Sequence, residues 1–208
     1  MSVSERKFGV LQTGETVKIF HLENKSGAYA EVTDFGAILV KVCVPDKDGT
    51  LTDVVLGYDD LASYEVNGCF FGSTIGRNGN RIGGAKFSVN GKEVVLAQNE
   101  NDNNLHSGPD GFEKKLWKVA EISDDKNSVI FNRISPDGEN GFPGEFDVSV
   151  KYEFTEDNEL RIHGSPCNFL IHSCRNGMTV GYRCIIFCMD CKILIHGGSA
   201  SLTIQIEI

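Results

Sequence analysis

No run of apolar residues in this chain is long enough to cross a bilayer. The longest, residues 184–195, is interrupted by Asp190 and Lys192 and falls short of the roughly 20 residues a spanning helix needs. No segment of three turns carries an apolar stripe at helical spacing, which argues against a helical bundle. No basic cluster offsets the net charge of −9, so neither nucleic acid nor an anionic membrane is expected as a partner. The first residues, "MSVSERKFGVLQTGE", lack a charged region followed by an apolar run, and no signal peptide is expected. Seven cysteines, an odd number, without such a leader point to a reducing cytoplasm. Internal repeats and low-complexity tracts are also missing.

What the sequence does have is strand signal. Its 208 residues are 40% hydrophobic and 24% charged, an ordinary globular balance with enough length for a substantial core. Residues 30–44, "AEVTDFGAILVKVCV", are rich in β-branched side chains and broken at Asp34-Phe35-Gly36, a turn or bulge signal. Residues 53–57, "DVVLG", read as a further strand, and residues 60–64, "DLASY", as a single helical turn. In "KFSVNGKEVVL", residues 86–96, two short strands flank Asn90-Gly91, a strong hairpin signal. Residues 115–122 and 128–134 flank "SDDKN" as a second hairpin. Residues 145–154, "EFDVSVKYEF", alternate apolar and polar side chains as a half-buried strand does. The fold class expected is all-β, an antiparallel sandwich.

Composition changes near Gly164. Residues 1–166 carry 44 charged side chains and residues 167–208 only five, while five of the seven cysteines (Cys167, Cys174, Cys184, Cys188 and Cys191) fall in the second part. Two portions are therefore expected, 1–163 and 164–208. Cys184, Cys188 and Cys191 with His196 have soft-ligand spacing, but structural zinc sites usually pair two such knuckles and this chain has one. The thiols read better as small buried hydrophobes, and no metal is expected.

Three stretches are polar, glycine-rich and flanked by strands, the places where sites are built: "GRNGNRIGG" at 76–84, "NDNNLHSGPDGF" at 101–112 and "SPDGENGFPGEF" at 135–146. The first is no phosphate loop, because neither the dinucleotide nor the P-loop glycine spacing fits and a hairpin follows instead of a helix. Each stretch, taken singly, is also what an ordinary turn-rich connection looks like. Together, Asn80, Arg81 and His106 supply forked donors and an amphoteric ring, a set suited to neutral polyhydroxylated ligands. Trp117 and Phe112 are candidate apolar faces for a sugar ring.

Residues 70–117, 33–64 and 135–152 closely resemble the aldose 1-epimerase (galactose mutarotase) family, in order and over about residues 8–163. The resemblance implies a large antiparallel β-sandwich and interconversion of the α and β anomers of hexoses such as galactose and glucose, without a cofactor. It also implies that Asn80 and Arg81 are sugar contacts and that His106, within "LHSG", is the ligand-contacting histidine. The family's acid lies in an "NHSYFNL"-like stretch and its base is a glutamate far toward the C-terminus. Neither stretch is recognisable here. His172 keeps the spacing of Asn168, a His and Ser173, and Glu207 has no matching context. The catalytic pair is thus unassigned, the sandwich is expected to lack the family's later strands, and reduced or no activity is expected. The alternative is an inactive carbohydrate-binding or vestigial product. No residue pattern points to an oligomeric state.

Overall fold

The computed structural model describes residues 2–165, together with the backbone of three later strands at 170–171, 191–196 and 201–206. The first sheet is a meander of five antiparallel strands in chain order: β1 (Ser2–Val10), β2 (Thr16–Glu23), β3 (Tyr29–Thr33), β4 (Ile38–Pro45) and β5 (Leu51–Asp53). The Asp34-Phe35-Gly36 break falls between β3 and β4, as its turn chemistry predicts. A one-turn helix, α1 (Leu61–Val66), follows. Asp60 caps its N-terminus by accepting from the Ser63 amide at 2.8 Å, the expected use of an N-cap aspartate.

Four short strands then frame the first two polar stretches: β6 (Thr74–Ile75), β7 (Arg81–Ile82), β8 (Lys86–Val89) and β9 (Lys92–Val95), followed by β10 (Asn104–Leu105). β8 and β9 form the hairpin expected around Asn90-Gly91, with φ of 50° and 75° at the two turn residues, the positive pair a tight two-residue turn requires. The second large sheet is antiparallel and orders β11 (Lys118–Ser123), β12 (Ser128–Ser135), β13 (Phe146–Phe154) and β14 (Glu159–Ser165) in sequence. The short β15 (Leu170–Ile171) pairs with β6, while β16 (Cys191–His196) and β17 (Ser201–Ile206) extend the second sheet beyond β14.

One core joins the two large sheets. Phe20, Leu22, Val32 and Leu39 from the first face Phe131, Val150, Tyr152 and Phe154 from the second. The Phe20 and Phe131 rings meet edge-on at 5.4 Å, and the Tyr152 hydroxyl donates to the Ala37 carbonyl at 2.7 Å. This is the antiparallel sandwich the sequence predicts. β4 is apolar on both faces because α1 covers the outer one: Leu61 and Tyr64 pack on Val17, Ile19, Ile38 and Val40.

One strand reading needs correction. Val54 still donates its amide to the Val42 carbonyl at 2.9 Å, and residues 55–57 then leave the ladder, where "DVVLG" was expected to run on as a strand. The Asp53 carboxylate accepts from the amides of both Val42 and Val55, at 3.2 Å each, so a side chain replaces the next backbone partner and turns the chain away.

The first sheet is bound to the loops by two backbone devices. Gly36, at φ 68°, lies against the turn Phe112–Lys114, where a Cβ would come within 2.5 Å of the Glu113 carbonyl oxygen. Lys114 from the same turn donates its ammonium to the carbonyls of Tyr64, Glu65 and Val66 at 3.4, 2.6 and 3.0 Å, capping the C-terminus of α1. Lys114→Met keeps the aliphatic stem and removes those donors. It should lower stability by about 1–2 kcal/mol, read as a shifted urea midpoint with an unchanged slope.

Candidate functional site

The three polar, glycine-rich stretches are far apart in sequence and meet at one end of the sandwich. Arg77 joins the first to the third. Its Nε donates to Ser135 Oγ at 2.8 Å, Nη1 to the carbonyls of Pro143 and Gly144 at 3.1 and 2.7 Å, and Nη2 to those of Ser135 and Pro136 at 3.0 and 2.6 Å. Asn140 joins the third to the second, donating Nδ2 to the Asp110 carbonyl at 2.9 Å. The first and second are joined by β7 against β10, with Leu105 opposite Arg81, and by Ser107, which accepts from the Asn78 amide at 2.6 Å and donates to the Asn78 carbonyl at 3.0 Å.

The candidate residues sit at that first-to-second junction. The Asn80 amide donates to His106 Nδ1 at 2.9 Å, and the His106 amide donates to the Asn80 carbonyl at 3.1 Å. Asn80, His106 and Ser107 all hold positive φ, 66°, 54° and 69°, a costly conformation for side-chain-bearing residues that these reciprocal bonds maintain. A donor aimed at Nδ1 means that nitrogen presents its lone pair, so the neutral ring carries its hydrogen on Nε2. His106 is buried, with the Phe70 ring edge-on at 4.9 Å. Arg81 reaches sideways: Nε and Nη2 grip the two oxygens of Glu100 at 3.1 and 2.8 Å. Asn80 Oδ1 accepts from the Arg81 amide at 2.9 Å, and no partner among the described residues takes its Nδ2 hydrogens.

Phe112 and Trp117, expected as faces for a sugar ring, are instead core residues, 2% and 3% exposed. Their rings meet edge-on at 5.7 Å, and Trp117 Nε1 donates to the Phe112 carbonyl. Phe112 supports the site from beneath. The Arg133 guanidinium lies 4.6 Å above its ring, and Gly76 rests on its edge so closely that a Cβ there would stand 2.2 Å from ring carbon. Arg133 in turn holds Glu139 through two bonds, at 2.9 and 2.8 Å, and Glu139 accepts from Ser135 as well. The residues that sequence reasoning missed are therefore Arg77, Glu100, Ser107, Asn140 and Phe70. Of these only Arg77 carried a signal, as the first arginine of "GRNGNR". His172, Glu207, Cys184, Cys188 and the side chains of Cys191 and His196 lie outside the described residues.

The family model for aldose 1-epimerase matches residues 18–165. The chain belongs to the aldose 1-epimerase family. It is 39% identical over 180 residues to the galactose mutarotase of Homo sapiens, covering 83% of this chain and 51% of that protein. It is 34% identical over 149 residues to the aldose 1-epimerase of Escherichia coli K12, covering 72% and 42%. The crystal structure of the aldose epimerase homologue from C. elegans superimposes with a TM-score of 0.69 at 30% identity, covering 76% of this chain and 51% of that one. Galactose 1-epimerase from Lactobacillus acidophilus, at 22% identity and a TM-score of 0.68, shares the fold. The chain spans about half the length of the curated relatives it matches. No helix among the described residues is long and apolar enough to cross a membrane.

Beneath the loops lies one buried acid. Glu113 is 2% exposed, its Oε2 has no hydrogen-bond partner among the described residues, and burial pushes its pKa up to about 7. A native pKa above the unfolded value means the folded state binds more protons between roughly pH 4.5 and 7, so this group removes stability as pH rises through that window. Glu113→Gln should therefore gain on the order of 2 kcal/mol over the parent at pH 8 and little at pH 4.5, measured by denaturant unfolding at both values. An equal effect at both pH values would contradict the assignment.

The His106 tautomer has a direct readout. In a multiple-bond ¹⁵N–¹H spectrum at neutral pH, assigned with His106→Gln, Nδ1 should resonate as an unprotonated nitrogen and Nε2 as a protonated one. The reversed pattern would remove the Asn80–His106 bond from the description.

Proposed function

We propose that this chain carries the sugar-clamping part of an aldose 1-epimerase site and binds hexoses such as galactose and glucose. The observation that carries the reading is the reciprocal pair of bonds between Asn80 and His106. It brings the His106 ring, the Asn80 Nδ2 donors, which no described residue takes, and the outer edge of Arg81 into one strained, prearranged junction. Sugar hydroxyls and a ring oxygen are acceptors of that geometry. The clamp belongs to residues 1–163, the compositionally distinct residues 164–208 lie beyond it, and the cysteine usage supports a reducing cytoplasm.

Mutarotation opens a hemiacetal and closes it on the other face. One group takes the anomeric hydroxyl proton while another protonates the ring oxygen. The three clamp residues hold the sugar, and none supplies the base: His106 Nδ1 is occupied, Arg81 is a cation and Asn80 is a neutral amide, while the neighbouring Glu100 is engaged by Arg81 and by Asn103 at 3.2 Å. We therefore assign binding to this chain with little or no catalysis of its own. Each positioned acid or base supplies about 10²–10⁴-fold, so without the pair the rotation of fresh α-D-galactose should relax at its spontaneous rate in a polarimeter. Binding without acceleration should be lost in Arg81→Ala and His106→Ala. Acceleration abolished by His172→Ala would instead make His172 the family's acid and the chain an active epimerase.

A further inference from the structure

The three loops and their flanks, residues 76–84, 101–117 and 133–146, contain five cations. Each is matched. Arg77 and Lys114 spend their donors mainly on carbonyls, Arg133 pairs with Glu139, and Lys115 pairs with Asp110. Arg81 is the exposed one, with 52% of its side chain accessible, and its partner Glu100 comes from outside those segments in "QNEN". Glu100 is held for the task. Its backbone bridges to Asn103, and Oε2 accepts from Asn103 Nδ2 at 3.2 Å while both oxygens engage the Nε–Nη2 edge of Arg81.

A guanidinium fork is the natural partner of a ligand carboxylate or phosphate, which it grips through two parallel bonds. Here that fork already holds a carboxylate, and the charge it would offer an anion is cancelled. What remains is the Nη1 side, whose nearest described acceptor is Asn80 Oδ1 at 3.4 Å, suited to donating single bonds to neutral hydroxyls. The chain's net charge of −9 adds to the repulsion of anions.

We propose that Glu100 sets the charge class of the sugar: by occupying the fork of Arg81 it confines the clamp to uncharged aldoses and turns away hexuronates and hexose phosphates. This rests on the sugar-binding reading above, and goes beyond it by naming the residue that selects and the sugars that are refused. Like charges about 4 Å apart in water differ by about fivefold in binding, so Glu100→Gln should raise the affinity for D-galacturonate relative to D-galactose by about five- to tenfold. The gain should shrink at high salt because Arg81 is exposed and Glu100 is only half-buried beside it.

The test follows the Arg81 Nε–H signal of the ¹⁵N-labelled chain during titration with D-galactose, D-galacturonate and inorganic phosphate. The parent chain should respond to galactose and leave the two anions unbound at the same concentration. Glu100→Gln should respond to all three, and Glu100→Asp should restore the parent's pattern. A galacturonate-to-galactose ratio unchanged by Glu100→Gln overturns the proposal, as does a parent chain that prefers galacturonate. If neither sugar moves the parent's signal, it is the sugar reading that fails. The phosphate arm still decides the role of Glu100: a response gained only in Glu100→Gln upholds charge cancellation at Arg81, and no gain overturns it.

Discussion

Arg77 is the constraint on which the rest of the site depends. Its guanidinium makes five bonds to Ser135, Pro136, Pro143 and Gly144, across 58 to 67 positions of sequence. The carbonyls it satisfies lie at the end of β12 and along the turn-rich connection that follows, so one side chain fixes the path of a segment with little ladder of its own. Burial lowers the pKa of Arg77, yet a guanidinium stays charged in proteins, so the bonds persist at any working pH. With Arg77 fixed, the chain immediately after it has little freedom. Asn78 is brought to Ser107, and Asn80 to His106.

The support beneath is a stack rather than a ladder. Gly76 rests on the Phe112 ring, Arg133 covers the ring's face, and Trp117 closes its edge. Phe112 belongs to the turn that packs on Gly36, between β3 and β4, so the position of the first loop is inherited from the first sheet through one aromatic side chain. A Cβ at Gly76 would collide with that ring, which is a packing reason for glycine at a place where phosphate binding would also have asked for one. The same residue type thus serves a different end, and spacing alone separates the two.

The sandwich was legible because it is written in short-range terms. β13 shows its alternation residue by residue, buried at Val148, Val150, Tyr152 and Phe154, and the β8–β9 turn needs only Asn90 and Gly91. β7 and β10 are two residues each and carry no period, so nothing local announced that Arg81 and Leu105 would pair. The family's motifs supplied Asn80, Arg81 and His106, and the structure brings Asn80 and His106 into direct contact. Phe112 and Trp117 were misread because aromatic content says nothing of which side of a loop is buried. Glu100 could not be found from sequence either: an acid in "QNENDNN" has the look of a solvated loop residue until Arg81, 19 positions away, is seen against it.

What distinguishes this junction from an ordinary polar surface is the direction of its hydrogen bonds. Backbone amides are aimed at side chains, from Asn80 to His106 and from Asn78 to Ser107, and so fix the orientation of both side chains. An imidazole free to choose its tautomer could donate or accept; one whose Nδ1 is filled can only donate through Nε2 while neutral. The same reasoning applies to Arg81, whose charge is present but spent. Positive φ at Asn80, His106 and Ser107 is the cost of turning the chain sharply enough to aim these groups, on the order of 1–3 kcal/mol for each such residue. Held in that conformation by Arg77, Ser107 and the Asn80–His106 pair, the loop is prearranged for a ligand rich in oxygen.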